Sequence, residues 1–321
     1  MNHPLKWHSA RCLAYFALCF LLTTSCHNET GPSAKELARR DSAALHVALM
    51  PVADCLPFYL AERTGIYEQL GLELHIHTYL AQLDIDTALA KGHVEAGYSD
   101  LARAVMLQQD SVDVRAIAAF EGRLDLITPR RGRVRKLDQL KEKMVAIARH
   151  SVTDYWSDRL TDTASIRRAD IFRPQINNLR IRTDMLCNGT MDAAFLPEPF
   201  ASEAIQRGHN KNFSTTGLNP HLVVLLATRS ALDEASRHQQ IDLLLKGYAE
   251  AVASLKRDSI PSLLRQLCMT PDSLADSVAM RLPQFKPLGK PQNDDAKAAL
   301  DWLKGRGQVK KTYSGDSLIA Q

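Results

Sequence analysis

The chain has 321 residues, 45% of them hydrophobic, and a formal net charge of +4. That apolar share is too high for an intrinsically disordered chain, and 40 basic against 36 acidic residues leaves no excess for the broad basic face of a nucleic-acid binder. The roughly 280 residues that follow the amino-terminal region exceed what one hydrophobic core commonly serves, so two lobes are expected.

Residues 1–25 read as an export signal. Lys6 and Arg11 make a positive start, and "CLAYFALCFLL" (Cys12 to Leu22) is apolar but well short of the roughly 20 residues that span a bilayer. The run ends in Thr23, Thr24, Ser25 and Cys26, which resembles the bacterial lipoprotein signal, whose cysteine is lipidated and becomes the new amino terminus. A plain signal peptide cut nearby is the other reading, and both export the chain. Residues 26–42 are polar and read as a tether from a lipidated Cys26 to the folded body, giving an exported, membrane-anchored lipoprotein that faces the periplasm. Loss of Lys6 and Arg11 lowers the formal charge from +4 to +2. Cys12 and Cys19 leave with the signal, so Cys55, Cys187 and Cys268 remain without a CxxC spacing. Neither a disulfide framework nor a thiolate metal site is expected.

"ALHVALMPV" (Ala44 to Val52) alternates and is rich in β-branched residues, which predicts a strand. One or two helical pieces follow, broken at Gly65 and ended at Gly71, then a strand from Leu72 to Tyr79. "IDTALAKG" predicts a helix closed by Gly92, "VEAGYSD" a short buried strand, "LARAVMLQQ" a helix and Val114 to Phe120 a strand. The alternation restarts with helix "LDQLKEK", strand Met144 to Arg149, helix "SVTDYWSDRLTDT", strand "DIFRPQIN", helix "RTDMLCNG" and strand "MDAAFLPEPF". After one more strand in His221 to Leu232, only helices are predicted, near 239–256, 260–267, 271–281 and 294–304. Such order points to α/β sheets with mostly parallel strands.

"LAKGHVEAGY" (Leu89 to Tyr98) recurs in outline as "LCNGTMDAAF" (Leu186 to Phe195). In each, a helix ends at glycine, a strand of small residues follows, and an aromatic leads into a polar loop. Coincidence of two common joints or duplication of an α/β unit both account for this, and duplication fits the matching places in two units. Ligands bind outside the carboxyl ends of such strands. Two facing lobes would therefore set Tyr98, Ser99 and Asp100 opposite Glu198 across one cleft.

"MPVADCLPFYLAERTGIYEQLGLELHI", then "ALAKGHVEAGYSD", then "FLPEPFASEAIQRG" together resemble the periplasmic substrate-binding proteins that serve thiamine-precursor, sulfonate and nitrate ABC transporters. The resemblance runs from about Ala44 to Arg229. It implies a type II periplasmic binding protein fold: two α/β lobes with a ligand cleft between them and a helical carboxyl-terminal part. Residues 43–125 with 225–321 would form lobe I and 126–224 lobe II. Ligand contacts are then expected at Ala53, Asp54 and Cys55, at Tyr98, Ser99 and Asp100, at Phe120, at the helix start Arg149, His150, Ser151 and Thr153, and at Glu198. A helix start suits an anion, because its free N–H groups and positive dipole end converge there. Arg149 and His150 point the same way, while Asp54, Asp100 and Glu198 favour an amine or a ring with donors.

Each residue has a plainer reading. Asp54 and Asp100 both suit helix capping, Cys55 a packed thiol, Tyr98 a core aromatic, and His150 a solvent-facing loop residue. Glu198, between Pro197 and Pro199, has no evident helix to cap. The function implied is capture of a small polar molecule, thiamine-pyrimidine-like or sulfonate-like, and its delivery to ABC permease subunits by a monomer that needs no cofactor or metal. An enzyme on the same fold, or a permease-independent sensor, are the alternatives. No HExxH, GxSxG or phosphate-binding loop motif occurs, and the alternation of His75 and His77 places both on one polar strand face.

Overall fold

β1 (Leu45–Leu49) opens the first sheet, and a 3-10 turn at Ala53–Cys55 leads from it into α1 (Leu56–Arg63), whose first turn holds Pro57 where no N–H is needed. The computed structural model that shows this describes residues 41–132, 134–282, 284–310, 313 and 317–320. The expected signal, Cys26 and the tether up to residue 40 lie outside the described residues. Ala44–Gln321 forms one compact unit.

Next come α2 (Ile66–Gln69), β2 (Leu74–Thr78), α3 (Gln82–Ala90), β3 (Ala96–Asp100), α4 (Leu101–Gln109) and β4 (Val114–Ala119). The second sheet starts with β5 (Leu124–Thr128) and continues through β6 (Val145–Ala146), α5 (Val152–Thr163), α6 (Leu179–Cys187), β7 (Ala193–Pro197), α7 (Phe200–Gln206) and β8 (Asn210–Ser214). β9 (Val223–Thr228) returns to the first sheet, and α8 (Arg229–Asp233), α9 (Ala235–Ser254), α10 (Ile260–Cys268), α11 (Asp272–Arg281) and α12 (Asn293–Gly305) close the chain.

The first sheet has the order β2-β1-β3-β9-β4 and the second β6-β7-β5-β8. Pairs β1–β2, β1–β3 and β6–β7 are parallel; β3–β9, β4–β9, β5–β7 and β5–β8 are antiparallel. The sheets are thus mixed rather than mostly parallel. The chain passes directly from β4 to β5 and from β8 to β9, and a strand reached without a crossover helix is free to pair antiparallel.

The two similar decapeptides fall at matching places. α3 ends before Gly92 (φ +66°) and feeds β3; α6 ends before Gly189 (φ +76°) and feeds β7. Both glycines take the left-handed turn that a side chain would strain. In the first copy a side chain at Gly97 would also strike α3, since a Cβ there would lie 2.6 Å from Ile85 Cγ2.

The sequence reading missed β5, β8 and α7. β8 reads NKNFS, a polar edge strand without a hydrophobic period. "DIFRPQIN" makes no ladder but touches β6 and its continuation through single bridges, Met144 to Phe172 and Ile147 to Gln175. "LDQLKEK" shortens to a 3-10 turn, Leu137–Leu140.

Candidate functional site

A narrow cleft lies where the two sheets meet. Met50, Val52, Tyr98 and Val223, from the ends of β1 and β3 and the start of β9, form one wall. Ala148, Val152, Thr153, Leu179, Arg182 and Pro197 form the other, at the ends of β6 and β7 and the starts of α5 and α6. Since β9 runs antiparallel to β3, its start lies at the same edge as the carboxyl end of β3. Arg123 and Leu124 line the base where the chain crosses between sheets. The carboxyl ends of the parallel strands therefore face each other, as open α/β sheets require of a binding site.

Tyr98 is buried on the first wall. Its hydroxyl donates to Asp54 Oδ2 at 3.0 Å, and its ring meets Phe120 edge-on at 5.1 Å. Asp54 and Phe120 do not line the cleft. Together with Ala53, Glu121 and Tyr248 they line a second, separate cavity. Burial pushes the Asp54 carboxyl up to about 6 despite the Tyr98 hydrogen bond, and Glu121 adds to the rise. Cys55 is a fully buried free thiol in the core.

The helix start expected to receive an anion is α5. Ser151 caps it, accepting from Thr153 N at 3.2 Å, and its hydroxyl donates to Ala148 O at 2.7 Å. Thr153 Oγ1 accepts from Ala148 N at 2.9 Å. The free N–H at the mouth, that of Val152, donates to Asp100 Oδ2 at 3.0 Å. A carboxylate from the opposite lobe thus occupies the anion position. The other oxygen of Asp100 caps α4, accepting from Arg103 N at 3.0 Å. Burial outweighs the Arg103 charge and these N–H groups and pushes Asp100 up to about 6. Ser99 points to the opposite face, toward Asp86, which pairs with Arg103. Arg149 is exposed, and its carbonyl accepts from Arg103 Nη1 at 3.3 Å. His150 sits half-buried at φ +54°, donates its N–H to Asp154 Oδ2 at 2.9 Å, and is held below its usual pKa by burial.

Glu198 does cap a helix. Its Oε2 accepts from Ser202 N at 3.0 Å in the first turn of α7, and its Oε1 lies 3.5 Å from Arg123 Nη2. The prolines hide this because α7 starts immediately after them. The Glu198 carbonyl also accepts from Ala53 N at 2.7 Å, and Leu80 O accepts from Leu179 N at 2.9 Å, so main chain ties the lobes together on both sides of the cleft.

Sequence reading missed Arg182. It is 2% exposed on a helix stripe with Leu179, Thr183 and Leu186, the face that packs inward. Its Nε donates to Ile176 O at 2.8 Å and its Nη1 to Phe195 O at 3.3 Å. Burial alone draws its pKa down to about 10. A helix assumed to begin at Arg182 conceals the stripe; beginning at Leu179, it shows a cation at a core position. Among the described residues, no group of three or more His, Cys, Asp or Glu side chains is arranged to hold a metal ion.

The profile of the family described as NMT1/THI5 like matches residues 52–252. The chain belongs to that family. No curated protein matches this family member by sequence. Among solved structures it is similar to the alkanesulfonate-binding protein SsuA from Xanthomonas axonopodis pv. citri bound to MOPS, with TM-score 0.71 and 16% identity, over 84% of this chain and 95% of that one. The periplasmic aliphatic sulphonate binding protein SsuA from Escherichia coli gives 0.67 and 17%, over 87% and 92%. The periplasmic nitrate-binding protein NrtA from Synechocystis PCC 6803 gives 0.67 and 9%, over 85% and 84%. These likenesses establish the periplasmic binding protein fold. Of the twelve residues expected in the site, the structure places Tyr98 and Thr153 on the cleft wall. Asp100, Ser151 and Glu198 hold the elements that shape it, and Ala53, Asp54 and Phe120 line the neighbouring cavity.

Proposed function

We propose that this chain is the solute-binding component of an ABC import system: it captures a small molecule between its lobes and passes it to permease subunits. The observation that carries this is the cleft itself, set at the facing strand ends of two sheets and lined by polar groups (Gln82, Tyr98, Thr153, Asn177) among apolar ones. Likeness to sulfonate- and nitrate-binding proteins of import systems supports the reading. On it, export and a lipidated Cys26 would hold the protein at the membrane beside its permease, working as a monomer and without chemistry of its own. We assign lobe I to the β2-β1-β3-β9-β4 sheet with the carboxyl-terminal helices, and lobe II to the β6-β7-β5-β8 sheet.

A thermal-shift screen of thiamine pyrimidines, sulfonates, nitrate and small amines tests it. A ligand that binds only the folded state stabilises by mass action, about 2.7 kcal/mol at a hundred times its Kd. One class is expected to raise Tm in proportion to log concentration. A folded protein indifferent to all four classes contradicts the assignment.

A further inference from the structure

Among the described residues, the well-buried arginines are neutralised by carboxylates, with one exception. Arg103 pairs with Asp86, Arg115 with Asp113, Arg173 with Asp158 at 3.2 Å and Arg180 with Glu203 at 2.9 Å. Arg123, at the base of the cleft, pairs with Asp125 at 2.8 Å. Arg182 is more deeply buried than these, yet among the described residues it has only the neutral carbonyls of Ile176 and Phe195 as partners. A buried cation without a counter-charge is costly, and its remaining N–H donors belong to a side chain that lines the cleft. The α5 start, the other electropositive feature there, is already taken by Asp100. Around Arg182 the cleft is largely aliphatic, with Met50, Val52, Leu83, Leu124, Val152 and Val223.

We infer that the ligand of this cleft is a small organic anion whose acid group is gripped by Arg182, with its aliphatic body against the apolar wall of the first lobe. This rests on the solute-binding reading above and adds the place and sign of the recognition charge. The guanidinium fork suits a carboxylate or a sulfonate alike, by two parallel charge-assisted hydrogen bonds. The aliphatic wall contributes by area and sets no charge preference. Selection between charged and neutral molecules of one shape therefore falls to Arg182.

The test uses four probes of similar length: butane-1-sulfonate, pentanoate, pentan-1-ol and butan-1-amine. Binding is measured by calorimetry and Tm near neutral pH, with the wild-type chain, Arg182→Met and Arg182→Lys. The wild type is expected to bind both acids and neither the alcohol nor the amine. Arg182→Met is expected to weaken the acids by about 30-fold or more, and Arg182→Lys by less, since it keeps the charge and loses the fork. Wild-type binding of the alcohol or amine as tight as that of the acids overturns the inference, as does unchanged acid binding by Arg182→Met. If Arg182→Met fails to fold, the wild-type preference alone decides. A filled cleft separates this inference from the reading beneath it. Alcohol or amine binding abolished by Ala148→Leu removes the role of Arg182 and leaves the cleft standing. Acid binding that survives Ala148→Leu unchanged contradicts the cleft as well.

Discussion

Two carboxylates decide how the site is built: Asp100 caps a helix, as its place before α4 suggests, and Glu198 caps one that the flanking prolines conceal. Asp100 joins α4 of one lobe to α5 of the other by accepting from Arg103 N and Val152 N. Its carboxyl, like that of Asp54, is pushed from 3.8 to about 6 by burial. A raised folded-state pKa means that the native state holds the proton more tightly than the unfolded chain. Stability is then highest below the unfolded value and falls as pH rises from about 4 to 6, with a slope of up to about 1.4 kcal/mol per pH unit for each group. Burial also raises Asp86 and Glu198, which act in the same sense. Urea unfolding across that range is expected to show the decline, and Asp100→Asn, which cannot ionise, a shallower one. Wild-type stability that climbs from pH 4 to 6 contradicts this account of the buried carboxylates. Glu198 serves as a cap, so Glu198→Ala is expected to cost about 1 kcal/mol, and Glu198→Gln, which keeps an acceptor for Ser202 N, clearly less. Equal losses in the two variants, read from urea midpoints, tell against capping.

Among the elements, those with a clean apolar period were readable and those defined by partners were not. β1, α3, β3, α4 and α12 carry their pattern in the chain, as do the glycines that close α3 and α6. β5 carries a fully buried Asp125 that Arg123 and Lys211 neutralise, and no hydrophobic period foretells that pairing. The cleft follows the same division. Tyr98 follows from strand-end logic and Thr153 from the family resemblance, and both line the cleft, whereas Arg182 depends on where α6 begins, a boundary set by Asn178 accepting from Ile181 N at 3.1 Å. The close approach of helices leads to a further prediction. A Cβ on Gly247 of α9 would lie 2.2 Å from Tyr67 Cε1, so Gly247→Ala is expected to lose about 1–3 kcal/mol through overpacking, although alanine is the better helix former. A higher calorimetric Tm for this variant contradicts that packing of α9.

At the scale of the whole molecule, the carboxyl-terminal helices do more than follow the second crossing. α12 packs on α4 of the first lobe, while Trp302 Nε1 donates to Asp158 Oδ2 at 2.9 Å on α5 of the second. Arg306, just beyond α12, reaches Asp154 Oδ1 at 2.8 Å and Asp158 Oδ2 at 3.0 Å. This strap and the main-chain bonds beside the cleft keep the lobes together, and on the proposed function the space left between them holds the solute. The direct test is a crystal structure of the chain grown with the tightest binder among the four probes. That molecule is expected between Tyr98 and Thr153, with its acid group within hydrogen-bond distance of the Arg182 guanidinium. The same molecule bound outside the interlobe space, with the cleft closed over by its own side chains, would contradict it.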